Sequence, residues 1–292
     1  MSDRSPVAQT KAILTDVSRC IGCARCVDAC TNQNGLGKDV AYRWRERDGL
    51  SAQRFTAVVR HRSGYYVRKQ CRHCLHPACV SACPVGALKR TAEGAVVYDS
   101  SRCLGCRYCM MACPFGIPRY DWASPAPTVR KCSMCWESRL AAGRQPACTE
   151  ACPEKATVFG ERDVLIAEAR RRIAAAPDRY RPTVFGETDV GGTAVLYLSP
   201  IDLSFLGLGN AQGAAKLPER TSVAMGAVPW AFGGMVTLMG GLWWMIERRE
   251  RLQSERRQAA AGESEEDEHP SPLEAGADNG TAGKTIGKVN SQ

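Results

Sequence analysis

From Val223 to Ile246 the chain runs for 24 residues without a charged side chain. At 1.5 Å rise per residue this run forms a helix of about 36 Å, enough to cross a hydrocarbon core of about 30 Å with some tilt. Trp230, Trp243 and Trp244 stand towards its ends, where indoles favour a membrane interface, and Pro229 falls in its first turns. The expectation is one membrane-anchoring helix over 223–246; a buried core helix is the alternative, which the length and the flanking charges oppose. Shorter patterns come earlier. Phe55–Val59 and Tyr65–Val67 flank Arg62-Ser63-Gly64 and predict a β-hairpin, and Ala95–Tyr98 after Glu93-Gly94 predicts a second. Asp163–Ile173 has helical period, with Val164, Ala167 and Ile173 on one face, Asp163 as N-cap and Pro177 as the stop. Gly191-Gly192-Thr193 leads into strand-like Val195–Leu198, and residues 161–221 are expected to wrap the preceding region or meet a partner. Residues 1–15 read as a polar arm. Residues 247–292, charged and then rich in Ala, Gly and Glu, read as a disordered tail.

Residues 16–160 are organised by cysteine instead. The sixteen cysteines fall into four groups: Cys20, Cys23, Cys26, Cys30; Cys71, Cys74, Cys79, Cys83; Cys103, Cys106, Cys109, Cys113; and Cys132, Cys135, Cys148, Cys152. The first and third have the spacing C-x2-C-x2-C-x3-C; the second widens the middle gap to four and the fourth to twelve. Disulfides impose no fixed spacing. Zinc competes, because C-x2-C pairs build structural zinc sites, but the third cysteine of each group would then be redundant. Three cysteines at this spacing wrap one face of an iron–sulfur cubane, and the fourth points away to ligate the other cluster of a pair. Proline follows it at Pro84, Pro114 and Pro153, and Thr31 takes that place in the first group.

If the fourth cysteines swap within pairs, four [4Fe–4S] clusters follow. The inner unit, 71–113, would hold Cys71, Cys74, Cys79 with Cys113, and Cys103, Cys106, Cys109 with Cys83. The outer unit, 20–30 plus 132–152, would hold Cys20, Cys23, Cys26 with Cys152, and Cys132, Cys135, Cys148 with Cys30. The predicted fold class is therefore α+β: two nested ferredoxin-like two-cluster domains followed by a single C-terminal transmembrane helix. Gly22, Ala24, Gly105 and Ala147 let backbone amides approach the sulfides. His73 and His76 lie in the second loop, as tuning groups or as simple packing, since each cubane already has four thiolates.

The net charge of +9 permits nucleic acid as a partner, but the basic residues are scattered and no reading motif accompanies them. No nucleotide-binding glycine motif or catalytic constellation is visible, so substrate chemistry is expected on another subunit. The 223–246 segment holds no histidine and is not expected to ligate haem. Arg248, Arg249, Arg251, Arg256 and Arg257 follow it, against Lys216 and Arg220 before it. The positive-inside rule would place the tail in the cytoplasm and the cysteine region outside a cytoplasmic membrane. Met1–Asp16 show neither a twin arginine nor an apolar signal stretch, so export would depend on a signal-bearing partner. An iron–sulfur sensor is a remote alternative, since sensors rely on one labile cluster.

Over roughly residues 14–246 the four motifs, Asp189–Thr193 and the C-terminal apolar segment resemble the iron–sulfur β subunit of respiratory formate dehydrogenases and, equally, the ferredoxin-like subunit of membrane-bound uptake [NiFe] hydrogenases. Gln70–Cys74, Cys79–Pro84 and Cys106–Met110 look like the hydrogenase subunit; the Cys135–Cys148 gap and Asp189–Thr193 look like formate dehydrogenase. The resemblance implies a non-catalytic wire. Electrons would pass from a molybdopterin or [NiFe] catalytic subunit through the clusters to a membrane subunit with a quinone site. Another molybdoenzyme, such as a reductase running electrons the opposite way, is the alternative.

Overall fold

A computed structural model describes residues 10–37, 49–122, 128–208 and 216–266. The chain divides into two units, residues 1–225 and 226–292. In chain order the first contains β1 (Lys11–Asp16), α1 (Arg25–Gln33), β2 (Thr56–Arg60), β3 (Tyr66–Gln70), α2 (Ala78–Ser81), β4 (Leu88–Arg90), β5 (Val96–Tyr98) and α3 (Tyr108–Ala112). It continues with β6 (Arg119–Tyr120), β7 (Val129–Arg130), α4 (Ala147–Glu150), β8 (Thr157–Glu161), α5 (Arg162–Ala175) and β9 (Val195–Leu198). The last helix, α6, spans Leu217–Glu266.

The main sheet has the order β8-β1-β9. Leu14 of β1 lies opposite Val158 of antiparallel β8 and Leu196 of parallel β9. Ile13, Leu14, Leu196 and Leu198 are buried in the principal core with Val17, Phe185, Tyr197 and Leu203. Each buried aliphatic side chain contributes about 1.5–3 kcal/mol. The polar-arm expectation therefore fails from residue 11 onward. Ala12-Ile13-Leu14 is too short a run to announce a central strand, and its partners lie far along the chain. Residues 1–9 fall outside the described residues.

Both predicted hairpins are present, as β2–β3 and β4–β5. β3 continues through Arg68, Lys69 and Gln70, all buried, where the charges had suggested its end at Val67. In α5 the buried stripe is Leu165, Ile166 and Ala169, with Ile173 packed against the core, while Val164 is exposed. Its N-cap is Glu161 rather than Asp163. The segment after α5 does more than wrap: β9 lies in the core sheet. Arg162 fastens the loop before it, donating from Nε to the Thr193 carbonyl (2.9 Å) and from a terminal nitrogen to the Glu187 carbonyl (2.7 Å).

The membrane expectation is corrected. Among the described residues no helix is long and apolar enough to cross a membrane. Gly226, Gly233, Gly234, Gly240, Gly241 and Pro229 dilute the apolar run, and α6 carries on into charged sequence. The single-pass anchor over 223–246, its contact with a lipid bilayer and the inside–outside orientation drawn from it fall together. The expected disordered tail is also helical as far as Glu266, where Glu, Arg, Gln and Ala favour helix and Arg251 pairs with Glu247 at 2.8 Å. Residues 267–292 lie outside the described residues.

Asp16 closes β1 and is 1% exposed. Its carboxylate accepts from the Ser18 amide (3.1 Å) and hydroxyl (2.7 Å) and from the Tyr180 hydroxyl (3.0 Å), and it pairs with Arg172 of α5 (3.3 Å). One carboxylate thus ties the sheet, the turn into Cys20 and the helix behind it. Asp16→Ala is expected to lower unfolding stability by about 1–3 kcal/mol through the buried donors left unpaired. Asp99→Ala, at the exposed counterpart of this turn, is expected to cost less. Denaturant titration of the two variants checks the order.

Candidate iron–sulfur sites

The cysteine loops use two local frames, and each frame occurs twice. The first is Asp16-Val17-Ser18-Arg19-Cys20 and, again, Asp99-Ser100-Ser101-Arg102-Cys103. Asp99 accepts from the Ser101 amide (3.0 Å) and hydroxyl (2.6 Å), as Asp16 does from Ser18. Gly22 (φ +74°) and Gly105 (φ +69°) then turn the chain, and Ala24 (φ +59°) and Arg107 (φ +63°) start α1 and α3 from left-handed backbone. The second frame is a C-x2-C turn with a left-handed residue before its second cysteine, His73 (φ +47°) in one copy and Met134 (φ +58°) in the other. Pro77-Ala78-Cys79 and Pro146-Ala147-Cys148 follow, opening α2 and α4.

Backbone hydrogen bonds join the frames in pairs. The Asp99 amide donates to the Ala87 carbonyl (2.8 Å) and the Asp16 amide to the Ala156 carbonyl (2.7 Å). Sequence reasoning took the cysteine spacing and missed the D-x-S-R-C and P-A-C-x3-C-P repeats. Both were readable.

Cys20, Cys23, Cys26 and Cys152 line one cavity with Ile21, Val58, Arg68 and Ala156. Cys83, Cys103, Cys106 and Cys109 line another with Val85, Leu88, Leu104 and Val129. Burial, then the neighbouring Cys132, Cys148 and Cys135, push the Cys30 thiol well above its ordinary value. Burial, then Cys71, Cys113 and Cys79, do the same to Cys74. Each of the two cavities thus gathers three cysteines of one group with one from another. Across quartets, Cys26 feels Cys148, Cys132 feels Cys71, and Cys79 feels Cys109.

These residues suit an iron–sulfur cluster. Burial pushes Cys26 and Cys79 up to about 12 and Cys109 to about 11, so at neutral pH the thiols stay protonated until a cation displaces the proton. Among the described residues no three His, Cys, Asp or Glu side chains converge on a single metal ion. Tetrahedral zinc, with Zn–S near 2.3 Å, would draw its sulfurs to about 3.8 Å of one another. Sulfurs arranged around a cavity suit a polynuclear group. Buried amides point at sulfur: Ala87 to Cys83 (3.2 Å), Met134 to Cys132 (3.3 Å) and Gly105 to Cys103 (3.4 Å).

Supporting contacts hold the loops in place. A Cβ on Gly22 would come within 2.7 Å of the Tyr66 ring, so only glycine lets β3 lie against the first loop. Arg139 donates to Gln33 of α1 (3.0 Å) and pairs with Glu150 of α4, joining the helix that carries Cys26 and Cys30 to the one that carries Cys148. Gly191-Gly192-Thr193 closes on the second cysteine loop: the Leu75 amide donates to the Gly192 carbonyl (2.9 Å) and Thr193 bridges Cys74. His73 is buried and accepts the Val96 amide at Nδ1 (2.9 Å); burial, then Lys131, hold it neutral. His76 packs against Gly191. Both histidines pack loops.

Residues 63–162 and 19–88 each match a family described as a 4Fe-4S dicluster domain. The chain is 40% identical to a protein of Nitratidesulfovibrio vulgaris (strain Hildenborough) over 257 residues, covering 83% of this chain and 68% of the relative. It is 36% identical over 248 residues to the hydrogenase-2 operon protein HybA of Escherichia coli O157:H7, covering 70% and 75%. It is also 39% identical over 171 residues to the B subunit of anaerobic dimethyl sulfoxide reductase of Escherichia coli K12, covering 56% and 78%. The resemblance to an oxidoreductase iron–sulfur subunit holds: this chain belongs to the family of 4Fe-4S dicluster electron-transfer subunits that includes HybA and the dimethyl sulfoxide reductase B subunit.

Proposed function

We propose that the sixteen cysteines hold four [4Fe–4S] clusters in two nested two-cluster domains and form one wire through the chain. The sets are Cys20, Cys23, Cys26, Cys152; Cys30, Cys132, Cys135, Cys148; Cys71, Cys74, Cys79, Cys113; and Cys83, Cys103, Cys106, Cys109. The observation that carries this reading is the pair of cavities, each lined by three cysteines of one group and one of another; the neighbours Cys26–Cys148, Cys132–Cys71 and Cys79–Cys109 support that order of the quartets. Cys23 and Cys106, one in each end quartet, are exposed, whereas Cys30, Cys71, Cys135 and Cys148 of the middle quartets are buried. Bound clusters supply one-electron transfer; the chain's residues space them, keep water away and set the charge around them.

The partners follow from the same reading. The likeness to HybA over most of the chain favours a [NiFe] hydrogenase catalytic subunit, with a quinone-reactive subunit taking the electrons. Formate dehydrogenase rests on the motif resemblance alone. The likeness to the dimethyl sulfoxide reductase B subunit favours a second reading, a molybdoenzyme reductase fed in the opposite direction.

The deciding experiment is anaerobic affinity purification of the chain with metal and sulfide analysis of everything that co-elutes. Iron close to the number of cysteines is expected, with nickel for the hydrogenase reading or molybdenum for the reductase reading. Zinc with little iron or labile sulfide would sink the cluster assignment.

Leu104, Tyr108, Met111 and Trp122 are exposed around the end quartet that includes Cys106. Apolar side chains clustered on a surface mark docking sites. Replacing Leu104 and Met111 together by Glu is expected to slow electron exchange with a redox partner at least tenfold while leaving the iron content intact. Stopped-flow reoxidation beside iron analysis reads both.

A further inference from the structure

β3 carries a charge that no side chain in its surroundings balances. Arg68 is 2% exposed, among the largest fully buried side chains, and none of its three guanidinium nitrogens has a hydrogen-bond partner. A buried charge left uncompensated is strongly destabilising. Its backbone is held firmly: Arg68 pairs with Val58 across the hairpin, and its carbonyl accepts from the Tyr197 hydroxyl at 2.8 Å. Two residues earlier on the same face of β3, Tyr66 packs on Gly22. The guanidinium therefore turns towards the first cysteine loop, and Arg68 lines the cavity with Cys20, Cys26 and Cys152.

The sulfurs around it come from two quartets. Arginine stays charged across the accessible pH range; burial would weaken the hold of Arg68 on its proton, and Cys148 and Cys26, then Tyr197 and Cys132, oppose that. α1 carries Cys26 of one quartet and Cys30 of the other, and Arg139 ties it to α4, which carries Cys148. The other buried cations nearby are engaged at least in part. Lys131 donates to the carbonyls of Val96 and Cys132, and Arg72 bonds the Tyr197 hydroxyl through one terminal nitrogen and stacks on its ring at 4.6 Å, its other two nitrogens being unpartnered.

We propose that Arg68 is a positioning residue for electrons, a fixed cation shared by the clusters of the Cys20–Cys152 and Cys30–Cys148 quartets. Each added electron makes a cluster and its thiolates more negative by one unit. A positive charge locked between two such groups stabilises the reduced form of both and draws their potentials upward together. In the inner unit the cations that act on the cysteines are Arg72, at Cys74, and Lys131, at Cys79 and Cys113. Arg68 donates and accepts no proton in this role; it holds charge where water is absent.

The inference rests on the cluster assignment above, and the test separates the two. The full-length chain is purified anaerobically and its iron and labile sulfide are measured first; their absence would overturn the cluster assignment itself. With clusters present, potentiometric titration followed by electron paramagnetic resonance reads each midpoint. The two outer clusters are identified by their selective loss in Cys20→Ala and Cys148→Ala. In Arg68→Met these two become harder to reduce. At a fixed potential their reduced-to-oxidised ratio falls about tenfold, equal to about 59 mV for a one-electron couple, and the inner pair does not move. Arg68→Lys, which keeps the charge, returns both midpoints most of the way to wild type. Unchanged midpoints in Arg68→Met, or an equal shift in every cluster, would overturn the proposal. If Arg68→Met loses iron, Arg68→Lys decides: retained iron with near-native midpoints supports the role of charge, and equal loss of iron assigns Arg68 to packing.

Discussion

Sulfur brought out of water resists ionisation, and most of the cysteines here are at least partly buried beside others in the same condition. Burial, and then the neighbouring cysteines, raise Cys26 and Cys79 to about 12, far above an exposed thiol. Such a set cannot remain charged without cations inserted among the sulfurs. Metal loading and folding are therefore one equilibrium in this chain, with protons released as iron binds. The buried Arg68, Arg72 and Lys131 answer the same electrostatic demand, and so do the amides aimed at Cys83, Cys103 and Cys132. In a folded chain without clusters these basic groups would be as badly placed as the thiols.

Loop geometry adds a second cost that the bound group must offset. Among the described residues seven non-glycine residues adopt positive φ, and five of them, Ala24, His73, Arg107, Met134 and Cys135, lie within the cysteine loops. A residue with a Cβ loses roughly 1–2 kcal/mol in that conformation. The strain falls at equivalent points of the two copies, Ala24 with Arg107 and His73 with Met134, so it belongs to the frame rather than to local accident. What holds the loops in this state is the rigid sheet behind them. β1 ends in Asp16, four residues before Cys20, and β8 begins at Thr157, five residues after Cys152.

The sequence spoke most plainly where spacing carries the chemistry. The cysteine groups fall in the turns that lead into α1, α2, α3 and α4, and both hairpins form around their glycine turns. Local pattern failed where distant pairing decides. Lys11–Asp16 looks polar and short, yet it is the middle strand, because β8 and β9 cover it from far along the chain. β3 was cut short at Val67 because Arg68, Lys69 and Gln70 look like surface residues, and a hydrophobic scale cannot foresee a cation whose counter-charge is a cluster. Of the face predicted for α5 only Ile173 meets the core; Val164 and Ala167 are exposed, and the buried positions Leu165 and Ala169 recur with Ile173 at four-residue spacing. The apolar run at 223–246 was judged by its lack of charge, and its glycines were given too little weight.

The interleaved topology bears on distance as well as on ligation. Cys71 acts on Cys132 although the two belong to different groups, and in the proposed wire their separation would govern transfer between the two middle clusters. Lys131 lies at that junction. Its ammonium donates to the Val96 carbonyl on β5 and to the Cys132 carbonyl (2.9 Å), so one buried side chain ties a strand of the 71–113 region to the first cysteine of the last group. The Val96 amide in turn donates to His73, beside Cys74. The two regions are thus connected through hydrogen bonds that leave no room for sliding, in addition to apolar packing that could tolerate it. Two separate ferredoxin-like domains joined by a linker would let that gap vary. A chain that enters one unit, completes the other and then returns cannot, and the buried lysine sets the remaining freedom.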